Sequence, residues 1–235
     1  MPLALSRTVV RTDACDTSSG LRTRQIHLDR ALKQVLDETA AACVQFDPES
    51  WHRRFDGDSS TWVIPPTVPR AWIGADLVRN LSIALSRYNR HAGADSQLRL
   101  RAAIDHGEVE QDGQHLGGRP VTTAARLCDC DALREAMRAN PGVQLGLIVS
   151  EGFYRDVVVE GERGLKPAEF TEVDVEVKLF RGKAWVHLVD GAAQVPSAGA
   201  KRPPAEPAAR PAQSNRIKSK GNRNKNVINN LNIQY

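Results

Sequence analysis

Apolar and polar positions divide the first 190 residues into short elements. Residues 6–12 carry Val9 and Val10 and run into the polar cluster Asp13-Ala14-Cys15-Asp16-Thr17-Ser18-Ser19-Gly20, the pattern of a strand entering a loop. From Leu21 to about Val44, Ile26, Ala31, Val35, Leu36 and Ala40 recur at helical spacing, which predicts a long amphipathic helix. Residues 51–64 read as two short strands around Asp56-Gly57, because a DG pair between such runs is a strong hairpin signal. Pro65, Pro66 and Pro69 close the hairpin and introduce a helix over 70–91, with Leu77, Leu81, Ala84, Leu85 and Tyr88 on its apolar face. Residues 98–104 alternate as a strand that runs into a turn at Asp105-His106-Gly107. Helices follow at 121–130 and 133–139, then an apolar strand at 144–150. A terminal hairpin spans 170–189, with Arg181-Gly182-Lys183 near its turn.

The order βα-ββ-α-β-α-β with a closing hairpin predicts an α/β sandwich of the α+β, ferredoxin-like kind, a mostly antiparallel sheet covered by helices. This domain fills residues 1–190. Beyond it, Pro196, Pro203, Pro204, Pro207 and Pro211 lie among Ala, Gly and charges, which predicts a disordered linker over 191–214. Residues 215–235 form a tail with seven Asn around Val227, Ile228 and Leu231. Asn interleaved with apolar residues is the composition of a cross-β segment, so the tail reads either as disordered or as an amyloid-type motif that assembles with a partner protein.

Charge changes the picture in one respect. The net +4 belongs to the tail: residues 201–235 hold eight Lys/Arg and one Glu, leaving the rest at about −3. Nucleic acid is therefore not the expected partner of the folded part. No stretch approaches the ~18 apolar residues of a membrane span, and the N-terminus is too short and polar for a signal peptide. Cys15, Cys43, Cys128 and Cys130 form no CxxC pair, which suits a reducing compartment, and the cytoplasm is the expected location.

The informative constellation is a pair of acids. Asp13 closes the first strand, and Asp58 sits at the tip of the following hairpin in Arg54-Phe55-Asp56-Gly57-Asp58. In a β-α-β-β unit the first strand lies beside the hairpin, so the two carboxylates converge. Two hard oxygen ligands suit Mg²⁺, which binds through one or two carboxylates plus substrate phosphates. Phosphoryl transfer asks little more of a protein than such metals, positioning and a cation on the developing charge.

The surrounding segments, in their order, resemble the class III nucleotide cyclase catalytic domain. Asp13 to Ser19 looks like that family's first metal-binding motif, and Arg54-x-x-Gly57-Asp58 looks like its hairpin. Leu100 to Val109 resembles its R-x-G-I-H-x-G-x-V strand, and Gly117 to Leu127 its G-x-x-V-N-x-A-x-R-L helix start. Residues 147–150 match the late strand ending I-x-V-S, and Lys178 falls where a Lys precedes the closing hairpin. The resemblance implies that Asp13 and Asp58 hold two Mg²⁺ or Mn²⁺ ions, which bind a nucleoside triphosphate and activate its ribose 3′-hydroxyl. It implies that Arg126 stabilises the transition state from a second protomer, so a homodimer with two sites is expected. Thr122 replaces the family's Asn four residues before Arg126. Arg54 and Arg119 stand where the resemblance puts base selection, matching neither the adenine nor the guanine pair, and the base stays open.

Other residues compete. Asp16 and Asp56 flank the metal candidates and are potential substitutes for them. His106 reads as a strand-end residue rather than an acid–base catalyst, Cys128 and Cys130 as buried helix cysteines, and Trp62, Trp72 and Trp185 as core aromatics. Two functions follow. One is a metal-dependent nucleotidyl cyclase making a 3′,5′-cyclic nucleotide, expected in stress or antiphage signalling. The alternative is a catalytically inactive cyclase-like module that binds nucleotide or dimerises, its tail mediating assembly.

Overall fold

The protein is described by a computed structural model over residues 3–15, 22–93, 96–113, 115–178 and 180–189. Asp16 and the linker and tail at 191–235 lie outside the described residues. The chain divides into units Met1–Ala200 and Lys201–Tyr235, and every described residue belongs to the first.

Eight strands form one mixed sheet: β1 (Leu5–Ala14), β2 (His52–Asp56), β3 (Ser59–Ile64), β4 (Leu100–Asp112), β5 (His115–Gly117), β6 (Leu145–Ser150), β7 (Thr171–Val177) and β8 (Phe180–Val189). The order is β2-β3-β1-β4-β6-β8-β7, with β5 paired to the far end of β4. β4 and β6 run parallel, and the other described pairs are antiparallel.

Helices cover both faces. On one, Val10 of β1, Ile104 of β4 and Leu147 of β6 pack against α1 (Arg22–Ala41) and α3 (Val78–His91). On the other, the alternate residues Val9, Ala103 and Ile148 pack against α4 (Arg119–Cys128) and α5 (Asp131–Ala139). This is strand alternation sorting neighbouring side chains into two cores. It makes the architecture the expected helix-covered α+β sandwich. Trp62 and Trp72 are buried, as are Cys128 and Cys130, while Trp185 is half-buried and stacks on Tyr154 at 4.3 Å between centroids.

Five local features differ. Ile26 is exposed, whereas Leu28 and Leu32 face the core with Val35 and Leu36. At 3.6 residues per turn, Ile26 lies about half a turn round from Val35, so it cannot share that stripe. The helix expected over 70–91 is α-helical at α2 (Arg70–Trp72), widens into a π turn over Ile73–Leu77 and resumes as α3. There Gly74 meets the ring of Phe153, which an added Cβ would approach to 3.3 Å.

Asp105-His106-Gly107 is not a turn: β4 runs through it to Asp112 and folds back into β5. The β1 ladder extends along the whole segment, Leu5 pairing with Val109. His106 is held within it by the hydroxyls of Ser6 (3.0 Å) and Thr8 (2.9 Å). Arg181-Gly182-Lys183 lies inside β8, with the positive φ of the turn at Lys178 instead. Lastly, residues 151–158 form an unanticipated helical segment, α6 (Glu151–Phe153) and a π turn, capped by the Ser150 hydroxyl.

Candidate active site

Asp13 is the penultimate residue of β1. It stands opposite Ser59 of β3 on one side and Arg101 of β4 on the other. The next residue, Ala14, donates its N–H to the Asp58 carbonyl at 2.9 Å, tying the β2–β3 turn to the end of β1. Gly57, at φ +63°, supplies the left-handed step of that turn. Asp13 and Asp58 consequently line one cavity of about 380 Å³, as the β-α-β-β geometry predicts.

Four arginines, Arg99, Arg101, Arg134 and Arg138, share the rest of the cavity wall with Asp129 and a few uncharged residues. Leu98-Arg99-Leu100-Arg101 alternates as the chain enters β4, so both leucines turn into the core and both arginines the other way. Arg101 Nη2 donates to Asp13 Oδ2. Arg99 donates to the carbonyls of Val143 (2.9 Å), Met137 (2.6 Å) and Asn140 (3.0 Å), clamping the C-terminal end of α5. Close seating of α5 depends on Gly146 of β6, where a Cβ would come within 2.6 Å of Met137 Sδ. Thus placed, α5 presents Arg134 and Arg138 to the cavity.

Burial raises the pKa of Asp13 above the ordinary carboxylate value. The Asp58 charge adds to this, while Arg101, through charge and hydrogen bond, and Arg11 oppose it. For Arg101, burial works against the charge, but the Asp13 carboxylate, through charge and hydrogen bond, together with Cys15 and Cys128 outweighs it and raises the pKa. The Cys128 thiol beneath is raised far out of the thiolate range by burial, with Asp13 adding to the effect.

This donor set fits a hard divalent cation. Two carboxylates share a cavity, the charge of one penalises ionisation of the other, and a dication between them removes that penalty. Asp129, a third carboxylate on the lining, is paired with Arg134, and no group of three or more His, Cys, Asp or Glu arranged for a metal occurs among the described residues. Asp56, the competing acid, is engaged by Arg54 (3.0 Å) and Arg11 (3.4 Å) and does not line the cavity.

The other expected site residues are elsewhere in the chain. Arg126 lies in the last turn of α4 with its guanidinium carbon 5.9 Å from the Phe180 ring centroid. Thr122, one turn earlier, is exposed and bonds weakly to the Gly118 carbonyl at 3.5 Å. Arg119 begins α4 and lines a separate cavity of about 750 Å³ with Asp105 and His106. Arg54 lies on the edge strand β2, paired with Asp56. One chain therefore assembles the acid half of the expected constellation and leaves Thr122 and Arg126 outside it. The cavity arginines Arg99, Arg101, Arg134 and Arg138 were missed as site residues. The first two had a legible signal, two cations in alternation on an otherwise apolar strand.

No family model matches the chain, and no curated protein matches it. Among solved structures it resembles an adenylate/guanylate cyclase/hydrolase from Silicibacter pomeroyi, with 15% identity, 80% of this chain and 99% of that chain covered, and a TM-score of 0.54. It also resembles the guanylyl cyclase Cya2, at 13% identity, covering 83% of this chain and 98% of that one with a TM-score of 0.52. The chain has the fold of adenylate and guanylate cyclase catalytic domains. No described helix is long and apolar enough to cross a membrane.

Proposed function

We propose that this protein is a divalent-metal-dependent nucleotidyl cyclase, converting a nucleoside triphosphate to a 3′,5′-cyclic nucleotide and pyrophosphate. The observation that carries the reading is the shared cavity of Asp13 and Asp58, walled by arginines, within a cyclase fold. In the reaction the bond from O3′ to the α-phosphorus forms as the α-phosphorus bond to the β-phosphate oxygen breaks. The 3′-hydroxyl proton is released and pyrophosphate departs.

Asp13 and Asp58 are the residues that would hold Mg²⁺ or Mn²⁺. When bound, such ions neutralise phosphate charge and make the 3′-hydroxyl more acidic. Arg101, fixed beside Asp13, places positive charge next to the phosphates. Arg126 lines no part of this cavity, so its charge reaches the reacting phosphate from a second copy of the chain. A two-fold dimer gives two such sites. Thr122 shares a face of α4 with Arg126 at i, i+4 spacing and joins the site with it. Arg54 and Arg119 lie outside the cavity of their own chain, so base recognition through them also comes from the partner.

A second reading, a nucleotide-binding or dimerising module without turnover, is favoured by the hold of Arg101 on Asp13 and by a hydroxyl at Thr122 in place of an amide. One experiment separates the two. Purified protein is incubated with each of the four triphosphates and Mg²⁺ or Mn²⁺, and products are read by mass spectrometry. A cyclic nucleotide from at least one triphosphate, lost in Asp58→Ala, establishes the cyclase. Binding without product from any of the four establishes the module.

A further inference from the structure

Part of the wall of the cavity that Asp13 and Asp58 line belongs to α5. Leu133, Ala136 and Met137 are buried against the sheet, which brings Arg134 and Arg138, one turn apart on the flank, to the cavity. The four cavity guanidinia differ in their engagement. Arg101 is held by Asp13, and Arg99 by three carbonyls. Arg134 pairs with Asp129 and Asp131, whose side chains are 61% and 86% exposed, so water screens both contacts. Arg138 is exposed and has no ion pair or side-chain hydrogen bond among the described residues.

An arginine in a last helical turn is ordinarily accounted for by the helix dipole and its unpaired carbonyls. Here that task is already met, because Arg99 covers the carbonyls of Met137 and Asn140. Two cations therefore line a cavity that also carries the carboxylates of Asp13 and Asp58, with the exposed Asp129 beside Arg134. The matching ligand carries its own divalent cation at one end and uncompensated negative charge at the other, which is a metal-bound polyphosphate chain.

We propose that Arg134 and Arg138 form the subsite for the terminal phosphates of the substrate, supplied by the same chain that supplies Asp13 and Asp58. The inference rests on the cyclase reading and deepens it. These are positioning residues: they hold the leaving pyrophosphate end, so the loss of their charge weakens substrate binding more than turnover.

The test is calorimetric titration of the full chain with inorganic tripolyphosphate and Mg²⁺, for wild type, Arg138→Gln, the double variant Arg134→Gln/Arg138→Gln, Asp58→Ala and the remote control Arg87→Gln. Because Arg138 makes no contact that folding could require, its single variant stays interpretable even if the double variant unfolds. Weakening of at least about tenfold in the double variant, a smaller loss in Arg138→Gln and no change in Arg87→Gln support the subsite. Unchanged affinity in both arginine variants, with loss in Asp58→Ala, overturns the subsite and leaves the cyclase reading intact. Absence of tripolyphosphate binding in wild type overturns both. With a turned-over nucleotide, the same variants are expected to raise KM with kcat within about threefold of wild type, and the opposite split counts against the proposal.

Discussion

Asp13 on β1 stands directly across the antiparallel ladder from Arg101 on β4, and Arg101 Nη2 donates to Asp13 Oδ2. The side chains are only 23% and 12% exposed. Truncating either one leaves a poorly solvated charge without its partner. Arg101→Gln is expected to cost about 1.5–3 kcal/mol of stability at neutral pH. Asp13→Asn/Arg101→Gln should cost less than the sum of the single changes. Urea unfolding of the four species checks this, and strict additivity would show that the pair is not coupled.

Division of the constellation between copies has a kinetic signature. Asp58→Ala and Arg126→Ala are each expected to abolish product formation. Mixed in equal amounts and allowed to exchange, they form heterodimers with one intact site, recovering about a quarter of wild-type activity. No recovery would place Arg126 and Asp58 in the same site of a single chain.

His106 supplies a pH test away from the acid pair. Its pKa lies below the ordinary 6.5 because it is half-buried and faces Arg70, against the opposing charges of Asp105 and Asp156. Below pH 6.5 the unfolded chain takes up a proton that the folded chain still refuses. Stability therefore falls as pH drops from 6.5 towards the folded pKa and levels off beneath it. His106→Gln should flatten this part of the profile, measured as urea midpoints at pH 8, 6 and 5. A profile with the wild-type slope would mean that His106 does not contribute.

Gly146 tests the seating of α5. Gly146→Ala places a methyl group against Met137 Sδ and Leu133 Cδ1, and the overpacking should cost about 1–3 kcal/mol. The penalty should largely disappear in a Met137→Ala background, where the space is vacated. Equal penalties in both backgrounds would show that α5 does not set the contact.

The elements were legible where local pattern and tertiary need agreed. Residues 51–64 formed the expected hairpin because Asp56-Gly57-Asp58 meets both the turn chemistry and the β1 ladder that Ser59 joins. Pattern failed at Asp105-His106-Gly107, whose turn residues lie inside a long strand because β1 pairs along all of it and hydroxyls on β1 satisfy the imidazole. It failed at Ile26 for a narrower reason, a helical phase that Leu28, Leu32, Val35 and Leu36 obey and Ile26 does not.

What the chain's order of residues determined alone was the α+β sandwich and the convergence of Asp13 and Asp58. Both follow from local alternation and from the β-α-β-β order, which sets the hairpin beside the first strand. What only tertiary structure decided was the cationic wall. Arg134 and Arg138 are more than 75 residues from Asp58 in sequence, and no local period marks a helix flank as a cavity lining. Their position depends on a glycine in β6 that admits α5 and on Arg99, just before β4, which clamps its end. Such long-range contacts exist only once the sheet is assembled.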